Sequence, residues 1–273
     1  MQNVKIGFIG AGNMATSLIG GMISDGFPAA NLLASDHNQE RCQWLAEQFK
    51  IQICESNQAL LSQANIIVLA VKPQVMADVL RDLAPTPSDK LFISVAAGIP
   101  CQALQNWAQA KIAVVRTMPN TPALVGTGAT GLFANEQVST EQREQAETIM
   151  RAVGIALWVE TEDMIDTVTA LSGSGPAYFF YFMEAMEQSA VNMGMDVQTA
   201  QLLTIQTALG AAKLALESDD TPAVLRQKVT SPGGTTEAAL NVLAQENVHQ
   251  AITQAMQAAK TRAAELAKEF GDQ

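Results

Sequence analysis

No run of lysine or arginine occurs anywhere in these 273 residues, and the formal charge is −11. A chain this acidic offers no electrostatic footprint for nucleic acid or an anionic membrane, so neither is expected as a partner. Any anionic ligand must be held by backbone dipoles and a few local basic groups. Histidine is nearly absent. His37 and His249 have no cysteine or second histidine near them, so no metal site is expected. Cys42, Cys54 and Cys101 share no metal-like spacing and leave an odd count, which reads as reduced structural thiols in a cytoplasmic protein. The chain enters an apolar run by Val4 without a basic leader or a small-residue cleavage site, so neither a secretory signal nor a bilayer span is expected there. Internal repeats, low-complexity tracts and long linkers are missing too. What is present, 48% hydrophobic and 16% charged residues, is the composition of a folded soluble protein with room for two domains and a sizeable core.

The hydrophobic pattern changes once along the chain. Short apolar runs at residues 4–9, 31–35, 66–71, 91–94 and 113–117 read as strands, with two more around 130–133 and 156–159. The first and third are apolar almost throughout, as strands covered on both faces are. Helices fit between them, for example at 14–25, 39–49 and 75–83, and such alternation makes a doubly wound α/β domain. After about residue 162 the strand signal stops. Residues 175–194, 197–217 and 235–269 have helical periodicity, so the reading is residues 1–162 as an α/β domain and 163–273 as an all-helical one. Ser174-Gly175-Pro176 supplies a cap and an early-turn proline for the first of these helices. Then Tyr178, Phe179, Phe180, Tyr181 and Phe182 follow consecutively and point to every side. Glu184 and Glu187 cut that run too short for a membrane span. Such a helix is either central to its own domain or wrapped by a second copy, and the small domain favours an intertwined dimer.

Two glycine-containing motifs carry the chemistry. Gly10-Ala11-Gly12-Asn13-Met14-Ala15 follows a strand and opens a helix. Gly10 makes the tight turn, Gly12 lets backbone approach a pyrophosphate, and Ala15 keeps the helix close on the sheet, with its positive end aimed at the phosphates. Asp36, about 20 residues on, should read the adenosine ribose and favours NAD. Ser35, His37 and Asn38, with Arg41 a helical turn away, could instead accommodate the phosphate of NADP. Loops after the later strands hold Val71-Lys72-Pro73, Ala96-Ala97-Gly98 and Arg116 to Pro122. They leave room for ribose and nicotinamide, with Lys72 and Arg116 as either ligands or surface charges. The second motif, Thr230-Ser231-Pro232-Gly233-Gly234-Thr235-Thr236, is a turn running into a helix. Thr235 or Thr236 can cap that helix, and its N-terminal N–H groups form an anion cradle for a second, smaller ligand. The chain has no plausible catalytic His–Asp pair, no nucleophile elbow, and no lysine motif of the kind hydroxyacid dehydrogenases use. Reducing an imine needs less acid catalysis than reducing a ketone, because the nitrogen can arrive protonated. Hydride transfer then depends mainly on holding two ligands in the right geometry.

GAGNMA, AVKPQ, MPNTPALV, LSGSGPAY and SPGGTT, in that order over essentially the full length, resemble the pyrroline-5-carboxylate reductase family, and residues 222–245 do so almost position by position. The resemblance implies a Rossmann-type domain followed by a helical dimerisation domain. It also implies NAD(P)H-dependent reduction of 1-pyrroline-5-carboxylate to L-proline, the last step of proline synthesis. Active sites would lie between the first domain of one subunit and the helical domain of its partner, in homodimers that commonly assemble into decamers. Carried over, Asn57, Val71, Lys72, Pro73, Ala97 and Asn120 join Gly10, Gly12, Asn13, Met14, Ser35 and Asp36 as cofactor-binding positions. Ser231, Gly233, Gly234, Thr235 and Thr236 fall on the substrate loop, with Thr236 as hydrogen-bond partner of the ring nitrogen. Asp219 falls on an acidic position near the substrate amine, within a doublet with Asp220. NADPH or NADH would be the cofactor.

Overall fold

The computed structural model describes residues 4–271. By compactness the chain forms two units: one runs up to Ser174 and resumes at Ala258, and the other is Gly175–Gln257. Among the described residues no helix is long and apolar enough to cross a membrane.

The first unit is built on eight strands: β1 Ile6–Ile9, β2 Leu32–Ser35, β3 Gln52–Ile53, β4 Ile66–Leu69, β5 Leu91–Ser94, β6 Ala113–Met118, β7 Gly128–Ala134 and β8 Gly154–Trp158. Their order in the sheet is β3-β2-β1-β4-β5-β6-β7-β8. The strands from β1 to β6 are parallel, whereas β7 runs antiparallel to β6 and β8 parallel to β7. The sheet is therefore mixed at one edge. β1, β2, β4 and β5 are buried at every residue, which is why β1 and β4 are apolar throughout and β2 and β5 are apolar up to their terminal Ser35 and Ser94, rather than alternating. The helices α1 Asn13–Ser24, α2 Gln39–Phe49, α3 Asn57–Gln63, α4 Pro73–Leu83, α5 Cys101–Ala108 and α6 Thr140–Arg151 lie between them, and α7 Met164–Val168 follows β8. Two buried clusters result. One holds Phe8, Leu18, Ile66, Val115 and Ile149, and the other holds Leu33, Met76, Phe92, Leu104 and Val114. α7 still packs on β7, since a side chain at Gly131 would meet Val168 at 2.7 Å. The compact unit thus continues past the point where the composition turns helical.

All three cysteines are free and buried. Burial pushes the thiols of Cys42 and Cys54 up, and Cys101 is raised most, by burial and then by the negative charge of Glu162. A thiol must ionise to react. The folded protein is expected to leave all three cysteines unlabelled by an aromatic disulfide reagent at about pH 8. Denatured protein should release three equivalents, a count read from the absorbance of the released thiolate.

The second unit contains α8 Gly175–Asn192, α9 Val197–Glu217, α10 Pro222–Lys228, α11 Thr235–Gln245 and the start of α12 Val248–Gly271. Two local expectations are corrected here. Ser174 does not cap α8: its backbone is helical (φ −84°, ψ −20°), and the chain passes from α7 through a π turn at Thr169–Gly173 directly into α8. The stretch 235–269 is two helices, because Asn247 takes a left-handed conformation (φ 54°) that a continuous helix cannot contain. In α8, Phe179, Phe180 and Tyr181 are 66%, 62% and 71% exposed. On α9, Leu202, Ile205, Leu209 and Leu216 recur at helical spacing as a second exposed apolar stripe. The helical unit does not cover its own aromatic helix.

Candidate active site

Ile9 lies opposite both Ser35 and Leu69, and Leu69 lies opposite Ser94. The loops leaving β1, β2, β4, β5 and β6 therefore share one edge of the sheet, where open α/β sheets bind ligands. That edge gathers Gly10, Gly12, Asn13 and Met14 after β1, Ser35 and Asp36 at the end of β2, Val71, Lys72 and Pro73 after β4, Ala97 after β5, and Asn120 after β6. Asn57 opens α3 beside them, and the Ser35 hydroxyl donates to its Oδ1 at 2.7 Å.

The two loop glycines are required for different reasons. Gly10 has φ +106°, and a Cβ there would stand 2.7 Å from the carbonyl of Ala70, so the fold itself demands glycine. Gly12 caps α1 with ordinary backbone angles (φ −74°, ψ −173°), and a Cβ on it would meet nothing within 4 Å. The space in front of Gly12 is open. The first-turn N–H groups of α1 have no partner within the helix, so this cradle fits a diphosphate group.

The end of β2 departs from the simple ribose-reading arrangement. Asp36 accepts the N–H of Ala11 at 2.7 Å on Oδ2 and that of Asn38 at 2.8 Å on Oδ1, with exposed His37 3.0 Å from Oδ1. Arg41 donates to the Ala11 carbonyl at 3.0 Å and to the Thr16 hydroxyl at 2.8 Å, with its guanidinium 4.7 Å from the Trp44 ring centroid. Both charges shape the glycine loop from within the chain. Asn120 is likewise engaged: its amide donates to the Ser172 carbonyl at 3.0 Å and accepts from Ala129 N at 2.9 Å.

Lys72 is exposed at the start of α4. Arg116 is neither a ligand at the edge nor a surface charge. It is 3% exposed and ion-paired at 3.2 Å with both Glu162 and Asp166. Glu162 also accepts the N–H of Cys101 at 2.8 Å, so this knot fixes the start of α5. Burial holds the Asp166 carboxyl above its usual range despite the neighbouring guanidinium. The apolar run Ala113-Val114-Val115 before Arg116 hinted at burial, but its partners, distant in sequence, could not be read.

In the helical unit, Ser231, Gly233, Gly234, Thr235 and Thr236 form the turn between α10 and α11. The cap of α11 is Gly234, with no side-chain hydrogen bond, so neither threonine caps the helix as expected. Gly233 has φ +70°, and a Cβ on Gly234 would press within 2.9 Å of the Ser231 carbonyl. Gly233 N donates to Glu237 Oε2 at 2.7 Å, and Gly234 N donates to Ser231 O at 2.9 Å. Those two N–H groups are engaged within the turn. The groups left to meet an anion are the N–H groups of Thr235, Thr236 and Glu237, which lie in the first helical turn. Of the acidic doublet, Asp220 is tied to Ser218 and Lys228, whereas Asp219 stands exposed. Among the described residues no three His, Cys, Asp or Glu side chains are grouped to hold a metal ion.

An open, mostly parallel sheet with a glycine cradle at its carboxyl edge, followed by a helical unit, defines a dinucleotide-dependent oxidoreductase. Residues 162–266 match the family model for pyrroline-5-carboxylate reductase dimerisation, and residues 5–98 match that for NADP oxidoreductase, coenzyme F420-dependent. The chain belongs to the pyrroline-5-carboxylate reductase family. It is 51% identical to the pyrroline-5-carboxylate reductase of Pseudomonas aeruginosa over 99% of this chain and 100% of that one. The solved reductase of Coxiella burnetii superposes with a TM-score of 0.91 at 42% identity, covering 97% of this chain and 98% of that one. The Plasmodium falciparum pyrroline carboxylate reductase, solved with NADP bound, gives 0.87 at 29% identity, covering 98% and 99%.

Proposed function

We propose that the chain reduces 1-pyrroline-5-carboxylate to L-proline with a reduced nicotinamide dinucleotide, the cofactor supplying the hydride when bound. The observation that carries this reading is the open cradle at Gly12, in a chain of this family. Gly10, Gly12, Asn13 and Met14 would hold the diphosphate, Ser35 and Asn57 the adenosine side, and Val71, Lys72, Pro73, Ala97 and Asn120 the nicotinamide side. Asn120 would do so through its backbone, since its side chain is engaged. Asp36 would act by fixing the glycine loop. Its carboxylate accepts from Ala11 and Asn38, and each oxygen keeps a lone pair that a ribose hydroxyl can fill.

On the helical unit, the N–H groups of Thr235, Thr236 and Glu237 would hold the substrate carboxylate. The turn of Ser231, Gly233 and Gly234 would give that cradle its shape. The Thr236 hydroxyl, which bonds no other described residue, would orient the ring nitrogen, and exposed Asp219 would face the amine. The uncovered aromatics of α8 support a homodimer through this unit, since apolar patches of that kind mark interaction surfaces. Wild-type protein is expected to consume NADPH or NADH with pyrroline-5-carboxylate. No loss of reduced-nicotinamide absorbance with either would overturn the reading. Thr236→Val removes one hydrogen bond to a charged group, so kcat/KM should fall about tenfold. The NADPH dissociation constant should stay put; equal loss of both would contradict the role given to Thr236.

A further inference from the structure

The loop after β5 is held at its two ends by hydrogen bonds and in the middle by a helix remote in sequence. At its start the strand ladder ends with Val95 N donating to Leu69 O at 3.2 Å. At its far end Cys101 N donates to Glu162. Between them, Gly98 has φ +73°, and a Cβ on it would stand 3.0 Å from Leu266 Cβ and 3.6 Å from Phe270 Cδ2. A Cβ on Gly271 would lie 3.9 Å from Pro100 Cγ. The last turn of α12 thus lies directly on Gly98 and Pro100. Phe270 is 8% exposed and belongs to the same buried cluster as Ile99, Cys101 and Leu104, with Leu266 packed against it. These α12 residues are part of the first unit.

We propose that Phe270, with Leu266, is a positioning residue for the nucleotide: it presses the Ala96–Gly98 loop into the shape that Ala97 presents to the cofactor. The inference rests on the proposed role of Ala97. A left-handed glycine has many accessible conformations when nothing confines it. Loosening the α12 contact returns that freedom to the loop, and ordering it again on binding weakens affinity. The substrate turn and Thr236 are untouched, so the effect belongs to the cofactor alone.

The test is NADPH binding by fluorescence and steady-state kinetics on the full chain. Phe270→Ala should raise both the dissociation constant and the KM for NADPH about fivefold to tenfold, with kcat at saturating NADPH and the substrate KM within about twofold. Phe270→Leu, which retains most of the side-chain volume, should restore near wild-type affinity. Leu83→Ala, in the same cluster but at the far end of α4, should lower the melting temperature without changing the NADPH KM. Should Phe270→Ala prove insoluble, Leu266→Ala reads the same contact. A Phe270→Ala protein that melts earlier yet binds NADPH as before would overturn the proposal, as would equal weakening by Leu83→Ala. Wild-type protein that binds no NADPH would overturn the cofactor reading beneath it.

Discussion

Gly12→Val leaves the protein folded and unable to bind its nucleotide. The backbone at Gly12 has angles that valine adopts readily, and a Cβ there meets no atom of the chain within 4 Å. The folded state therefore accommodates the side chain without strain, and the melting temperature of the apoprotein should match wild type. The added methyl groups occupy the space through which a diphosphate approaches the first-turn N–H groups of α1. NADPH affinity should drop at least about 100-fold, or about 2.8 kcal/mol. Gly10→Ala provides the contrast. With φ +106° and a Cβ forced to 2.7 Å from the Ala70 carbonyl, that change should destabilise the fold itself. Titrating NADPH by fluorescence and melting both variants separates the two. Retained affinity in Gly12→Val would show that the nucleotide does not lie in this cradle.

Arg116→Ala acts on folding rather than on binding. It strips a buried guanidinium from Glu162 and Asp166, leaving two carboxylates facing each other across the space it filled. Removing one partner of a buried pair costs about 3–5 kcal/mol, a large part of a typical domain's 5–15 kcal/mol or so. Arg116→Lys should recover only part, because one ammonium cannot reproduce a planar fork reaching two carboxylates. The pH dependence has a definite sign. The folded-state pKa of Asp166 is raised, by burial first, and the Arg116 charge works to lower it. Losing that charge raises it further. A carboxyl with a raised folded pKa binds more protons in the folded state, so its contribution to stability improves as pH falls through that pKa. The defect of Arg116→Ala, measured by urea unfolding, should therefore be smaller at about pH 5 than at about pH 8. An equal or larger defect at the lower pH would exclude this account.

The parts of the molecule that were legible in the sequence are those fixed by local pattern. Ile6 to Ile9 and Ile66 to Leu69 are apolar throughout because both faces of their strands are covered. The α/β domain followed by a helical one was readable for the same reason. Long-range partnerships were not. β3 is two residues long, too short to show any periodicity, and the antiparallel turn of β7 depends on pairing with β6 that no local signal encodes. Within the site, the glycine loop was readable because a strand precedes it and a helix follows it. That Asp36 and Arg41 hold that loop, and that Asn120 points inward, depends on atoms from the loop after β1, the π turn and β7 meeting at one edge. The cap of α11 was misread because threonine and glycine both suit that position, and the glycine lies one residue earlier.

The return of α12 to the first unit bears on the order in which the molecule can be made. Synthesis proceeds from the N-terminus at about 5–20 residues per second, and the sheet with its glycine cradle emerges early. Yet that unit lacks a piece of its own core until residues 258–271 have been added. Until then the apolar groups under Gly98, Ile99 and Leu104 among them, have no Phe270 to cover them. The helical unit, lying wholly between, is translated first in full. A nascent chain halted after Ser174 would therefore carry every cofactor-binding position named above and still display an uncovered apolar face, a ready target for chaperones or proteases.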